Sequence, residues 1–316
     1  MLICYQPIDP ISSRPRAKRR VGIQLGMVLI FLAMAETGSM SAEESAEEDP
    51  SAVQNVVSLS ESELTESSGL AISHRRNNHF WSHNDSGAKA RLYAFDSHGR
   101  ETGKIRLNSA STVDWEDMAS FTDQGVARLL VADCGDNKND RPFITLYLFD
   151  EPDPKDPQDP NRIQTISVRY PDGSHDCEAV AVDEHRQQII LITKSLFPAC
   201  GVYVAPLPNR STKSSRTSVI VKRIGTLPLP MVTAMDIHQE TGDIWIVSYF
   251  QAFRFASSGR DISVAKQLAA LPEPHELPRW KQIEAVAIDT AENVWLTSEG
   301  SPAPFGRLPP RNVRPR

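Results

Sequence analysis

The sequence predicts an all-β fold, a β-propeller of five blades whose ring is closed by an N-terminal strand. Three observations predict it. One strand motif returns five times, its copies stand 48, 62, 55 and 51 residues apart, and 23 prolines favour many short elements joined by turns. A four-stranded propeller blade needs about 40 to 50 residues, so this period suits a propeller.

Each copy of the motif opens with a short apolar strand that begins at a polar or acidic residue. The opening strands are predicted at Ser68–Ile72, Glu116–Ser120, Glu178–Val182, Thr233–Ile237 and Glu284–Ile288. A second apolar strand follows each opening after a turn. The second strands are predicted at His79–Ser82, Leu129–Ala132, Ile189–Thr193, Ile244–Ser248 and Val294–Thr297.

Third and outer strands complete the predicted blades. They are predicted at Leu92–Phe95, Leu146–Phe149 and Val202–Ala205, and at Gly103–Leu107, Gln164–Arg169, Val219–Ile224 and Ile262–Gln267. The last copy has no outer strand of its own, because four prolines between Pro302 and Pro310 interrupt its C-terminal side. Asn55–Leu59 would supply that strand and remove the exposed sheet edges that invite aggregation. The propeller is thereby predicted over residues 53–309, with a C-terminal tail at 310–316.

Two other architectures compete with five blades. A sixth, degenerate blade is the first alternative. A two-domain β-sandwich explains the strands as well, but it does not explain why the same opening recurs. The recurrence therefore favours the propeller.

The first 35 residues are typical of an export signal. Basic residues from Arg14 to Arg20 precede an apolar run from Val21 to Ala35, which ends in a small-x-small cleavage pattern. The run is about 15 residues long, short of the roughly 20 that span a bilayer. We expect a cleaved signal peptide, with an uncleaved signal anchor as the alternative. Either way the protein is predicted to be periplasmic or extracellular, and to touch a membrane only through residues 21–35.

The distribution of charge limits which classes of partner the protein can bind. Residues 36–52 are acidic and small, and they are predicted to be a disordered linker. The net charge of the whole chain is −6, and it becomes more negative once the basic signal is removed. No cluster of Lys and Arg remains to follow a phosphate backbone, so nucleic acid is not expected as a partner.

Four cysteines are present, and Cys4 lies in the signal. The remaining three, Cys134, Cys177 and Cys200, allow one disulfide in an oxidising compartment and leave one thiol over. They contain no Cys-x-x-Cys pair, which argues against a zinc site.

Polar side chains of the five copies are predicted to meet on one face. The first and second strands of a blade are antiparallel, so the start of one and the end of the other share an end. Glu116, Glu178 and Glu284 would then surround the mouth of the channel as metal ligands. A wider ligand face is predicted from Asn84, Asp85, Asp114, Asp133, Asp136, Asn137, Asp176, Lys194, Tyr249 and Glu299.

Oxygen ligands in this number suit a hard cation, and calcium takes six to eight of them. We therefore expect a calcium ion in the channel. A structural interpretation competes with it, since an acid at a strand start can accept backbone N–H bonds from the next blade. Asp133, Asp136 and Asn137 are also common turn residues, because Asp and Asn bond their own backbone in tight loops.

Two stretches resemble known propellers. Leu130–Asn137 with Leu146–Asp150 resembles the second-to-third-strand unit of NHL-repeat propellers. The Glu-Ala-Val-Ala openings at Glu178 and Glu284 are similar to those of calcium-dependent propellers, which include phytase-like, gluconolactonase-like and SdiA-regulated groups. The resemblance implies an acidic residue of the innermost strand near a channel metal. Ser68 and Thr233 depart from that pattern.

No Gly-x-Ser-x-Gly elbow or phosphate-cradling Gly-rich loop is present in the sequence. The preferred hypothesis is therefore a propeller that binds a ligand or a protein partner on its channel-mouth face. The alternative is a calcium-dependent hydrolase of phosphate esters or lactones.

Overall fold

A computed structural model of the protein describes residues 54–210, 215–259 and 261–308. The predicted signal (1–35), acidic linker (36–52) and C-terminal tail (310–316) lie outside the described residues. In the described part no helix has the length and apolar character to cross a membrane.

The regular secondary structure of the described residues is β-strand, apart from one short helix. Its elements in chain order are β1 (Gln54–Ser58), β2 (Ser67–Ile72), β3 (His79–Asn84), β4 (Arg91–Asp96), β5 (Glu101–Arg106), β6 (Trp115–Asp123), β7 (Val126–Asp133), β8 (Ile144–Asp150), β9 (Gln164–Arg169), β10 (Cys177–Asp183), β11 (Gln188–Thr193), β12 (Cys200–Pro206), β13 (Arg216–Ile220), β14 (Lys222–Leu227), β15 (Val232–Ile237), β16 (Ile244–Ser248), β17 (Gln251–Phe255), α1 (Val264–Leu268), β18 (Glu273–Glu276), β19 (Ile283–Ile288), β20 (Val294–Ser298) and β21 (Pro304–Arg307).

These strands form five sheets, which confirms the predicted propeller of five blades. Blade 1 is β2-β3-β4-β5, blade 2 is β6-β7-β8-β9, blade 3 is β10-β11-β12-β14, and blade 4 is β15-β16-β17-β18. Blade 5 is β19-β20-β21-β1. The first strand of each blade contacts the first strands of its two neighbours, so the five first strands surround a central channel.

The ring is closed by the N-terminal strand, as predicted. β1 pairs antiparallel with β21, with Val57 opposite Phe305 and Ser58 opposite Pro304. The last blade thus takes three strands from the C-terminal end and its outer strand from the N-terminal side. Phe305 packs on Phe80 and Phe95 of blade 1 at ring-centroid distances of 5.0 and 5.2 Å, which fixes the seam where the two ends meet.

The core consists of apolar layers between successive blades. The indole rings of Trp81 and Trp115 are fully buried in the layer between blades 1 and 2. Tyr203 occupies the layer between blades 2 and 3. Alternate side chains of a strand point to opposite faces, so each blade contributes to the layers on both of its sides.

Every first strand carries a β-bulge at the same place. The register against the second strand shifts between residues 67 and 69, 115 and 117, 177 and 179, 232 and 234, and 283 and 285. The extra residues are Ser68, Glu116, Glu178, Thr233 and Glu284, the residues that begin the five predicted openings. A bulge locally disrupts the ladder and re-aims the side chain of the extra residue.

Two predicted outer strands are wrong in detail. Residues 262–267 do not form a strand: Ser263 caps the short helix α1, whose buried residues Val264, Gln267 and Leu268 follow helical spacing. The outer strand of blade 4 is β18 instead. The predicted strand 219–224 divides at the buried Val221. β13 before it pairs parallel with β9 as a fifth strand of blade 2, and β14 after it closes blade 3.

Candidate metal centre at the channel mouth

The channel mouth is the end of the channel where the five first strands begin and the five second strands end. The five bulge residues lie there, and each of them is at most 7% exposed. Three are glutamates, so the mouth gathers acidic groups in a small space. Glu116 of blade 2 and Glu178 of blade 3 stand on neighbouring strands, while Glu284 belongs to blade 5.

Asp85, Asp114 and Glu116 form one acidic cluster. Carboxylate oxygens of the three side chains all lie within 4.8 Å of one another. Asp85 follows β3, Asp114 precedes β6, and Glu116 is the bulge residue of β6, so strand ends of blades 1 and 2 bring them together. Glu116 is 6% exposed, and its carboxylate has no hydrogen-bond or ion-pair partner among the described residues. Three oxygen donors at this separation could hold a metal ion, and their type suits a hard cation.

Gly135 leaves room for this cluster. A Cβ atom at position 135 would overlap Glu116 Oε1 and would lie 2.6 Å from Asp114 Oδ2. The backbone N–H of Gly135 donates to the carbonyl oxygen of Asp114 at 3.2 Å, which holds the loop after β7 against the start of β6. Only a residue without a side chain allows this approach.

Without a cation the cluster opposes ionisation of its carboxyls. Desolvation raises the pKa of Asp85 to about 6, and the charges of Asp114 and Glu284 add to it. Desolvation and the charge of Asp176 raise the pKa of Asp114. Burial, followed by the charge of Glu178, raises the pKa of Glu116 well above its usual range. A cation at the cluster would oppose all of these shifts.

Glu178 stands beside the cluster and has a basic partner. Lys194 Nζ lies 3.1 Å from Glu178 Oε2 and donates to the hydroxyl oxygen of Tyr249 at 3.3 Å. Burial raises the pKa of Glu178 to about 8, although the charge of Lys194 acts in the opposite direction. The same pairing raises the pKa of Lys194 against the effect of its burial.

Glu284 is held by neutral partners on the far side of Tyr249. The Tyr249 hydroxyl donates to Glu284 Oε1 at 2.8 Å, and the Gln282 amide donates to the same oxygen at 3.2 Å. Gln282 also donates to Glu299 Oε1 at 3.0 Å, and Lys281 pairs with the other Glu299 oxygen at 3.0 Å. A continuous chain of polar contacts therefore runs from Glu178 in blade 3 to Glu299 in blade 5. Of the three glutamates predicted as metal ligands, Glu116 is the one for which the described part of the chain offers no hydrogen-bond or ion-pair partner.

The remaining residues of the predicted ligand face lie at the mouth end and mostly organise loops. Asn84 accepts the backbone N–H groups of Thr65 and Glu66. The buried Asp133 pairs with Arg141 at 2.8 Å and accepts the backbone N–H of Asp114 at 3.1 Å, so it positions a member of the cluster. These contacts are those of structural residues.

In the loop after β7, residues of the predicted ligand face also bond to the backbone. Asp136 accepts the backbone N–H groups of Asp140 and Arg141, at 3.0 and 2.9 Å. Asp176 accepts the N–H of Asp136 at 2.7 Å. Asn137 is exposed at the tip of this loop.

Two acidic residues in the channel were not predicted from the sequence. Asp117 Oδ2 accepts the backbone N–H of Val180 at 2.8 Å, and Asp236 Oδ2 accepts that of Ile288 at 2.8 Å. Both therefore satisfy N–H groups on the inner edges of other blades, where no further strand is available. Desolvation raises the pKa of Asp117 well above its usual range and that of Asp236 to about 7.

The three cysteines of the propeller are free and buried. Cys134 and Cys177 meet between blades 2 and 3, where Cys134 Sγ lies 3.0 Å from the carbonyl oxygen of Cys177. Cys200 Sγ lies 3.0 Å from the carbonyl oxygen of Leu229. The disulfide that the sequence allowed is not formed in this structure.

No protein-family profile matches the chain, and no curated protein matches its sequence. Solved structures of other propellers resemble it distantly. A gluconolactonase from Xanthomonas campestris is 11% identical with a TM-score of 0.40, covering 76% of this chain and 71% of that one. A PQQ-bound aldose sugar dehydrogenase from Streptomyces coelicolor is 12% identical with a TM-score of 0.41, covering 80% and 97%.

The nidogen/laminin complex contains a third similar chain, 11% identical with a TM-score of 0.44, covering 73% of this chain and 71% of that one. These likenesses concern the β-propeller fold alone, and at TM-scores below 0.5 they carry no argument about activity.

Proposed function

We propose that this protein is an exported binding propeller whose channel mouth holds a calcium ion, and that the ion recruits the ligand of that face. The observation that carries the proposal is the cluster of Asp85, Asp114 and Glu116. Its oxygens lie within 4.8 Å of one another, and the buried Glu116 carboxylate has no partner among the described residues. Three carboxylates supply about half of the six to eight oxygens that calcium takes, which leaves positions for a ligand.

Export supports the choice of calcium. The apolar run after the basic residues Arg14–Arg20 is typical of a signal, and compartments outside the cytoplasm are the usual setting of weakly binding calcium sites. The test of this part is the location of the full chain in cell fractions. A cytoplasmic protein with an intact N-terminus would contradict it.

The calcium centre is tested by calorimetric titration of the protein with calcium after treatment with EDTA. Asp114→Asn keeps the size of the side chain and removes a charged ligand, so it should weaken calcium binding at least tenfold. Asp140→Asn, an exposed acid on the neighbouring loop, is the matched control and should bind as the wild type does. Calcium at 100 times its dissociation constant should stabilise the wild type by about 2.7 kcal/mol. The proposal fails if calcium does not bind, or if both variants bind it equally.

A calcium-dependent hydrolase of phosphate esters or lactones is the second candidate. It is favoured by Glu178, because a carboxyl with a pKa near 8 beside a metal centre suits a general base. Glu178→Gln should then abolish hydrolysis of p-nitrophenyl phosphate or dihydrocoumarin while calcium still binds. Equal turnover of the variant and the wild type, or no turnover by either, would leave the binding function alone.

A further inference from the structure

Exposed apolar side chains concentrate on the loops of the channel-mouth face. Among the described residues, five of the eight large apolar side chains with high exposure lie there. They are Val113, Phe143, Leu196, Phe197 and Phe250. Contiguous exposed apolar groups on a soluble protein commonly mark an interaction site.

Three of them lie on two hydrogen-bonded loops beside Lys194, and we name these three residues the rim patch: Leu196, Phe197 and Phe250. Their exposed fractions are 79%, 75% and 65%. Leu196 and Phe197 follow Lys194 closely on the loop after β11, and Phe250 directly follows Tyr249 on the loop after β16. Lys194 and Tyr249 are therefore each followed along the chain by exposed apolar residues.

Backbone hydrogen bonds join the two loops of the rim patch through Met231. The N–H of Met231 donates to the carbonyl oxygen of Ser195 at 2.8 Å, and the N–H of Tyr249 donates to that of Met231 at 3.2 Å. Met231 itself has a φ of 52°, a left-handed conformation that is costly for its side chain. The patch thus stands on three connected loops of blades 3 and 4.

Lys194 begins the loop that carries Leu196 and Phe197, and it pairs with Glu178 beside the acidic cluster. Its ammonium has three N–H donors, and two of them are directed at Glu178 and Tyr249. No partner for the third is found among the described residues. Glu178, the partner of Lys194, stands on β10, which contacts the strand β6 that carries Glu116 of the cluster.

We propose that the ligand of the channel mouth is an amphiphilic anion, such as an alkyl carboxylate or an alkyl phosphate. This inference rests on the proposed calcium centre. The oxyanion binds between the calcium ion and the third donor of Lys194, and the apolar chain lies against Leu196, Phe197 and Phe250. Calcium and Lys194 supply positive charge for the head, and the three exposed apolar side chains supply apolar surface for the tail, so the face complements a molecule that carries both.

Other ligand classes fit less well. A polyhydroxylated sugar would leave the rim patch uncovered and would bring hydroxyl groups against apolar side chains, which desolvates them without a partner. An alkyl cation would place a positive head against Lys194 and the calcium ion. The pattern of charge and apolar surface therefore selects an anionic head with an apolar tail.

The test is calorimetric titration of the calcium-saturated protein with matched probes. Acetate, butanoate, hexanoate and octanoate share one head and differ in chain length. Affinity should rise with each methylene that becomes buried, by up to about fourfold. Gluconate, with the same head and a polar body, and octylamine, with the same tail and a cationic head, should each bind at least tenfold more weakly than octanoate.

Surface variants separate the rim patch from the calcium centre. The double variant Phe197→Ser with Phe250→Ser should lower octanoate affinity at least tenfold and leave calcium affinity unchanged. Leu271→Ser is the matched control, because Leu271 is 96% exposed on the loop before β18, at the opposite end of the channel. It should bind octanoate as the wild type does.

Each outcome decides a different statement. Calcium binding without any preference for octanoate over acetate or gluconate overturns this inference and leaves the proposed function intact. Equal octanoate binding by the double variant overturns it too. Sedimentation of the calcium-loaded protein with phosphatidylcholine vesicles, without binding of monomeric octanoate, would identify a membrane surface instead. Absence of calcium binding removes the proposed function and this inference together.

Discussion

The carboxylate of Asp117 in blade 2 accepts a 3.3 Å hydrogen bond from the backbone N–H of Met235 in blade 4. These two blades are not neighbours in the ring, so the side chain reaches across the channel. The same oxygen accepts the N–H of Val180 in blade 3. One carboxyl group thereby links the inner edges of three blades directly below the mouth.

Removal of this link should destabilise the ring. Asp117→Ala leaves the N–H groups of Met118, Val180 and Met235 without their acceptor, and we expect the free energy of unfolding to fall by about 2 to 4 kcal/mol. Asp117→Asn keeps one acceptor oxygen and should lose less than half of that. Urea unfolding followed by tryptophan fluorescence measures both values. Equal stability of Asp117→Ala and the wild type would show that these hydrogen bonds contribute nothing.

Asp236 should make stability depend on pH. Its pKa is raised to about 7 in the folded protein, against about 3.9 in an unfolded chain, so the folded state holds a proton that the unfolded state has lost. Between about pH 4 and pH 7 the free energy of unfolding contributed by this group therefore falls as pH rises. Asp236→Asn cannot ionise and should lose this part of the slope.

The measurement for Asp236 is urea unfolding of both proteins at pH 5 and pH 8 in EDTA. Other titrating acids are present in both chains, so the difference between the two pH dependences isolates Asp236. Parallel pH dependences would contradict the raised pKa.

Gly135→Ala should damage the acidic cluster without damaging the fold. The added methyl group would meet Glu116 Oε1 and Asp114 Oδ2, and the carboxylates would have to separate. We expect calcium affinity to fall at least tenfold by calorimetric titration. Gly225→Ala is the matched control, because no atom of the described residues lies within 4 Å of a Cβ at that position. If both variants bind calcium as the wild type does, the cluster is not the binding centre.

Loss of the Phe305 ring should weaken the pairing of β1 at the closure of the ring. Phe305→Ala and Phe255→Ala both remove a fully buried ring, and each should cost about 3 to 5 kcal/mol of stability. Phe305 lies opposite Val57 of β1, whereas Phe255 lies in blade 4. Native-state hydrogen exchange should therefore accelerate selectively in residues 54–58 of Phe305→Ala. The same exchange pattern in both variants would show that β1 does not depend on this seam.

The sequence predicted the inner parts of the blades well and the outer parts less well. First and second strands are buried on both sides, so their apolar runs are continuous and easy to locate, as in Glu178–Val182. Outer strands are half exposed and short. β18, with the sequence Glu-Pro-His-Glu, has hardly any apolar signal, whereas residues 262–267 contain enough apolar residues to resemble a strand. Their helical spacing decides the structure, because it buries Val264 and Leu268 together.

The candidate site was predicted only in part, because the sequence reveals strand order but not the side-chain contacts between blades. Chain topology places Glu116, Asp85 and Asp114 at one end of the channel, and strand order alone can predict that. The partners of Glu178 and Glu284 depend on side-chain reach between blades, which a single sequence does not reveal. Asp117 was not predicted because the sequence analysis selected residues at strand starts and in loops, whereas Asp117 lies inside β6, one residue after Glu116. Only the three-dimensional structure shows that the N–H groups it binds belong to other blades.

The five bulges share one backbone position but carry different side chains, so the geometry of the ring does not depend on the chemistry of the mouth. Ser68, Glu116, Glu178, Thr233 and Glu284 occupy equivalent backbone positions, yet their chemistry differs. Because five equivalent backbone positions surround one opening, evolution or an engineer can replace the side chain of one blade at a time. Replacing Glu284 with glutamine, for example, would change the charge of the opening while the strands below it stay the same.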